Sequence, residues 1–194
     1  RNKLLSGTVP ADPLWLDALE QQMAESAHAI QAARTGLVDA LRGQLQSAPS
    51  GPFAVPLISL VDKAGPTEGD LAVIWRQGRN RDAAAGRTLF GPHRADLDVI
   101  HKDSGQMAEQ CSTGEQKALL LSLILAHAAL VSAQRQAPPI LLLDEVAAHL
   151  DPSRRAALFA LLAETGAQVW MTGTEPELFN GIGPSAQLLP VGQN

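Results

Sequence analysis

Cysteine is nearly absent: Cys111 is the only one in 194 residues. That excludes a disulfide framework and a cysteine-built zinc site. Basic charge is also scarce. Fifteen Lys and Arg stand against 20 Asp and Glu, a formal net charge of −5. A chain of that balance is not a polycation made to coat nucleic acid, which leaves only a local basic patch. No apolar run reaches the ~18 residues of a membrane span, so none is expected. Lysine is rarest of the cations, and none of Lys3, Lys63, Lys102 and Lys117 follows a glycine. The phosphate-cradling loop G-x-x-x-x-G-K-[ST] is therefore missing. The chain begins at Arg1 without methionine and without a charged-then-apolar leader. It reads as a cytoplasmic segment of a longer protein.

What is present is an ordinary globular composition, with 45% hydrophobic residues. The length suits one domain or two small lobes. In the first fifty residues, Leu16, Leu19, Met23, Ala27, Ile30, Leu37, Leu41 and Leu45 recur at helical intervals. Asp12 and Pro13 suit a helix start. The spacing predicts a helix over residues 13–47, with a break near Gly36. It is either a helix packed on its own domain or an arm projecting from a globular head. The turn-rich SAPSGP at residues 47–52 marks a boundary. Strands are expected at 53–61, 71–75, 95–102, 140–143, 168–171 and 186–190, the 140–143 run as a wholly buried parallel strand. Helices are expected at 112–134 and 154–164. Alternation of helix and strand in the last hundred residues argues for an α/β layer fold. Along the chain this gives three parts: a helical lobe or arm at 1–50, a β-rich segment at 51–110, and an α/β lobe at 111–194.

The chemistry concentrates in the last part. Four apolar residues end in Asp144 and Glu145. At the carboxyl end of a central strand, one carboxylate can help hold a magnesium–nucleotide complex and the next can polarise a water. A plain strand followed by a solvated turn would also explain them. Ser112, Thr113, Gly114 and Glu115 open the helix upstream. Such a helix start binds anions, but Ser followed three residues later by Glu is equally an ordinary capping box. Thr172 follows the strand at 168–171, where its hydroxyl can donate to phosphate or orient a water. Arg76, Arg79, Arg81, Arg87 and Arg94, with Asp82 among them, form the one basic stretch. Contact with DNA phosphates or nucleotide, or internal salt bridges, would each account for it. Cys111, Trp15, Trp75, Trp170 and His127 read as packing residues, and His149 as a candidate for a dimer interface.

LLLDEVAAHLDP resembles the Walker B motif and D-loop of ABC-type ATPases, and STGEQ their signature motif. Cys111 replaces the family's usual leucine there, and Thr113 the transporters' usual glycine. The strings GRTLFGPHRADLD, STGEQKALLLSLILAHAALV, PPILLLDEVAAHLDPSRRAALF and QVWMTGTEPELF together resemble the RecF family of bacterial recombination proteins. The resemblance implies an α/β fold: the C-terminal part of an SMC-like, P-loop NTPase head with a helical lobe. It implies ATP and Mg2+ as cofactors, with Asp144 helping to hold Mg2+, Glu145 as the catalytic glutamate and Thr172 as the switch. Ser112, Gly114 and Glu115 would meet ATP on an opposite protomer, and Asp151 would lie at the interface of an ATP-dependent homodimer. It further implies binding at junctions of single- and double-stranded DNA, with Arg76, Arg79, Arg81 and Arg94 as candidate contacts. The family works with RecO and RecR in loading RecA at gaps. The missing phosphate loop would lie in an N-terminal half. Another SMC-like head, or a catalytically inert interaction module on the same fold, remain alternatives; a transporter subunit fits least.

Overall fold

A computed structural model describes residues 1–47, 51, 53–63 and 69–192. Most of the turn cluster at 47–52 lies outside the described residues, as does the side chain of His149. The elements in order are α1 (Asn2–Leu5), α2 (Pro13–Ser47), β1 (Pro56–Asp62), α3 (Leu71–Gln77), α4 (Arg79–Ala85), β2 (Ala95–His101), α5 (Thr113–Arg135), β3 (Leu141–Leu143), α6 (Pro152–Glu164) and β4 (Val169–Met171). The chain forms two compact units, one of residues 1–39 with 58–98 and one of 40–57 with 99–194. They interleave along the chain, whereas the sequence division is consecutive.

Asp12 opens α2, its Oδ1 accepting from Leu14 N at 2.9 Å. The helix runs unbroken through Gly36 and Gly43. A helical glycine costs only about 1 kcal/mol against alanine, too little to end a long helix. Its buried positions are Leu16, Glu20, Ala24 and Ala27, then Val38, Leu41 and Leu45. Residues 28–37 are exposed, so Ile30 and Leu37 leave the expected apolar stripe.

β1 and β2 pair as a two-stranded sheet. Lys63 N donates to Arg94 O, and Lys102 N to Val55 O, each at 3.1 Å. Early residues of one strand thus meet late residues of the other, and the pair is antiparallel. The expected strand at 71–75 is instead α3. Asp70 Oδ1 accepts from Ala72 N at 2.9 Å and caps it. A short apolar run has no periodicity to separate strand from helix, and here the cap decides.

In the first unit Ala24 and Ala27 pack against Leu71, Ala72 and Trp75. Gly91 has φ 132°, and a Cβ there would stand 3.1 Å from Trp75 Cζ2, so this turn needs glycine. Beside this core lies a charged one. The Arg1 guanidinium donates to Glu20 at 2.7 Å, Asp82 at 2.6 Å, Thr88 at 3.2 Å and Trp75 O at 2.7 Å. Arg79 donates to Glu20 and Asp17, both at 2.6 Å. The Glu20 hydrogen bond is the leading cause that raises the Arg79 guanidinium above its ordinary pKa.

In the second unit Leu121 of α5, Leu141 and Leu143 of β3, and Leu158 and Phe159 of α6 share one core. β3 pairs with β4 in parallel, Leu142 opposite Trp170. Only one face of this pair is covered, since Leu142 is 77% exposed and Trp170 51%. The expectation of a wholly buried strand is corrected accordingly. Among the described residues this sheet has two strands, and nothing lies over its outer face. No strand forms at 186–190, where Leu188 and Leu189 are exposed. Trp15 and His127 are exposed as well, leaving Trp75 as the one buried tryptophan. By length and composition alone α5 could cross a membrane. The core helix of a globular protein meets the same test, and Ala118, Leu119, Leu121, Ala126 and Ala128 of α5 are buried in the protein.

Candidate nucleotide site

β3 and β4 end side by side because they run parallel, and this brings Asp144, Glu145 and Thr172 together. Thr172 N donates to Leu143 O at 3.1 Å. The Thr172 hydroxyl donates to Asp144 Oδ1 and accepts from Glu145 N, the latter at 3.1 Å. One side chain thus grips both acids from the neighbouring strand. All three residues are exposed, so a ligand can reach them. Glu145 sits in the left-handed region, with φ 49° and ψ 22°. A non-glycine residue there carries backbone strain, on the order of 1 kcal/mol, that its surroundings must hold in place. The turn Val146–His149 follows at once, anchored by the fully buried Ala147. Gly173 lets this corner close. A Cβ there would stand 2.8 Å from Phe179 Cζ.

Asp151 ends that loop as the N-cap of α6, accepting from Ser153 N at 3.0 Å, Arg154 N at 2.9 Å and Ser153 Oγ at 2.6 Å. The Ser153 hydroxyl, followed by the Arg154 backbone N–H, holds its carboxyl below the ordinary range.

Ser112 forms a capping box with Glu115 at the start of α5. Ser112 Oγ and Ser112 N donate to Glu115 Oε2 at 2.7 and 2.8 Å. These bonds hold the Glu115 carboxyl below its usual value. The N–H and hydroxyl of Ser112 are therefore both taken up by a carboxylate of the same turn. Gly114 has no heavy atom within 4 Å of where a Cβ would stand, so its backbone can be approached closely. Among the described residues no hydrogen bond or ion pair links Ser112 or Glu115 to Asp144 or Glu145.

The basic stretch divides into paired and unpaired residues. Arg76 bridges to Asp17 at 3.0 Å, and Arg79 to Asp17 and Glu20. Arg81 lies 5.7 Å over the Phe90 ring. Arg94 has a buried Nε without a hydrogen-bond partner. Sequence reasoning missed Glu20 as a partner. Its signal was its place four residues from both Leu16 and Ala24, an acid on a buried helical face.

The chain is 46% identical to the DNA replication and repair protein RecF of Agrobacterium fabrum over 98% of its length. It is 48% identical to RecF of Brucella abortus over the same share. The chain belongs to the RecF family. It spans about half the length of these RecF relatives, 53% and 52% respectively. Two solved structures of the recombination mediator protein RecF in the RecFOR pathway, RecF-ATPrS and RecF-ATP, match with TM-scores of 0.67 and 0.69. Both are 21% identical and cover 91% of this chain and 50% of theirs. The fold is thus that of RecF, an α/β NTPase type. Residues 77–172 also match the model described as AAA domain, putative AbiEii toxin, Type IV TA system.

Proposed function

We propose that this chain is the part of a RecF-type DNA repair ATPase that carries the Walker B strand, the switch, the D-loop and the signature helix. The observation that carries the reading is the Thr172 hydroxyl joined to both Asp144 and Glu145 at the ends of two parallel strands. In it, Asp144 helps hold Mg2+ with the phosphates of ATP. One free carboxylate oxygen beside ATP oxygens and waters fits the way Mg2+ is usually bound in such sites. Glu145 polarises the attacking water, and Thr172 fixes the Asp144 carboxylate and the Glu145 backbone and senses the γ-phosphate.

Ser112, Gly114 and Glu115 act on ATP held by a second protomer, after the phosphate displaces the Glu115 carboxylate from Ser112. Asp151 orders the D-loop at the dimer interface. The phosphate loop comes from the rest of the protein, an N-terminal half, whose strands cover the Leu142 and Trp170 face. Residues 1–50, 51–110 and 111–194 then serve as helical lobe, β-rich segment and ATPase lobe. The assembled dimer binds junctions of single- and double-stranded DNA in the cytoplasm and helps RecO and RecR load RecA at gaps. For DNA contact the reading favours Arg81 and Arg94, because Arg76 and Arg79 face Asp17 and Glu20.

The test is hydrolysis. The purified 194-residue chain should turn over ATP negligibly, and Glu145→Gln in the intact protein should slow hydrolysis and prolong the ATP-bound dimer. Steady turnover by the 194-residue chain, abolished by Glu145→Gln, would sink the proposal. So would intact protein whose hydrolysis ignores that substitution.

A further inference from the structure

The first unit contains a cavity of about 710 Å³ whose lining includes Arg34, Arg87, His93 and Arg94 but no aspartate or glutamate. In a chain with 20 acids and 15 basic residues, a cavity whose charged lining is arginine without any acid is unusual. Its arginines differ from those next to them in sequence. Arg76 and Arg79 are neutralised by carboxylates, whereas among the described residues no ion pair engages Arg87 or Arg94. The Arg94 Nε is buried and makes no hydrogen bond. A buried N–H left unpaired is unfavourable, and an acceptor that reaches it relieves that cost. Arg34 donates to Pro92 O, so its guanidinium is held at the cavity wall between α2 and the turn Pro92–Arg94.

The remaining wall is mixed: Asn2, Gln22, Ser26 and Thr88 are polar, and the rest is apolar. Met23, Ala27 and Ile30 of α2 contribute to the apolar part, with an edge of Trp75. Ile30 is 44% exposed there, on a stretch of helix otherwise facing solvent. A cationic end beside a partly apolar wall, in a volume typical of small-molecule sites, matches a flat ring joined to an anion. Guanidinium groups favour phosphate, whose oxygens accept two parallel N–H bonds.

We propose that this cavity binds the phosphate of a nucleotide unit, with Arg87 and Arg94 on the phosphate and the Met23–Ile30 face of α2 against the base. The unit is either part of a DNA strand or a free mononucleotide. The strand form rests on the DNA-binding reading above; the mononucleotide form does not. Arg34, Arg87, His93 and Arg94 all belong to the first unit, while Asp144, Glu145 and Thr172 belong to the second. The cavity is therefore built from residues other than those of the candidate hydrolytic site.

The test compares the wild-type chain with Arg87→Gln/Arg94→Gln, Arg87→Lys/Arg94→Lys, and a control of equal charge change, Lys102→Gln/Arg135→Gln. One arm measures anisotropy of a fluorescein-labelled dT oligonucleotide across a salt series. The other measures AMP binding by calorimetry. Removing the two arginines should weaken the bound probe at least ~10-fold and, for the strand, reduce the salt slope by roughly one. The lysine pair should restore part of the loss and confirm a folded site. The control should stay within about twofold. Arginine-dependent binding of the oligonucleotide identifies a strand, and arginine-dependent binding of AMP alone identifies a free nucleotide and counts against the DNA reading. Oligonucleotide binding that ignores Arg87 and Arg94 overturns the cavity and leaves the DNA reading standing. Failure of the wild-type chain to bind either probe overturns the proposal.

Discussion

Glu20→Gln should loosen the first unit far more than its helical position suggests. Glu20 is 1% exposed and holds two arginines, Arg1 at 2.7 Å and Arg79 at 2.6 Å. Removing one partner of a buried ion pair costs roughly 3–5 kcal/mol, because the other charge is left without compensation. Here part of the loss is recovered. Arg1 keeps Asp82 and the Trp75 carbonyl, Arg79 keeps Asp17, and glutamine still offers one acceptor oxygen. The expected cost is therefore at the low end, about 3 kcal/mol. At ~1.4 kcal/mol per decade, that is roughly a hundredfold in the opening equilibrium. The measurement is amide hydrogen exchange across residues 71–85, because two units need not unfold together and a single melting curve would blur them. Lys63→Met, which removes the exposed bridge to Asp96, serves as the contrast and should change protection less than about twofold. A Glu20→Gln effect no larger than that contrast would refute the idea that this network organises the unit.

Three further outcomes are expected. Ser112→Ala removes the hydroxyl that leads in holding the Glu115 carboxyl low, so carboxyl NMR should show Glu115 titrating closer to its ordinary pKa. The sign follows: in wild type the contribution of this bond to stability is full above the ordinary carboxylate pKa and fades as pH falls through the depressed folded value. An unmoved Glu115 titration would refute it. Gly173→Ala places a methyl 2.8 Å from the Phe179 ring and should destabilise the second unit by about 1–3 kcal/mol in urea melts, with no loss if the ring swings freely. Arg79→Gln should lower the stability of the first unit and leave the salt slope of DNA binding by the full protein unchanged; a shifted slope at unchanged stability would mean that Arg79 meets DNA directly.

Much of the fold was legible because its signals are local. Asp12 with Pro13, Ser112 with Glu115, and Asp151 with Pro152 each place a helix start, since a cap is satisfied within one turn. The segment at 71–75 misled because its five apolar or alanine residues fit either period, and the cap Asp70 was not weighed. The segment at 186–190 misled because a short apolar pair such as Leu188 and Leu189 makes a strand only where a neighbour supplies hydrogen bonds. Among the described residues none does.

By itself the sequence determined the family, the order of most elements and the identity of the acids. These are fixed by residue type and spacing along the chain. Whether charges meet was decided only by tertiary structure. Arg1, Glu20 and the α4 pair Arg79 and Asp82 are far apart in sequence, yet they form one network. Thr172 reaches Asp144 across 28 residues only because β3 and β4 lie parallel and adjacent. The same folding divides a basic stretch that looks uniform in sequence. Arg76 and Arg79 find carboxylates, and Arg94 is left with a buried N–H and no acceptor. Sequence lists the charges; the pairing depends on which helix faces pack together, and that is a long-range property.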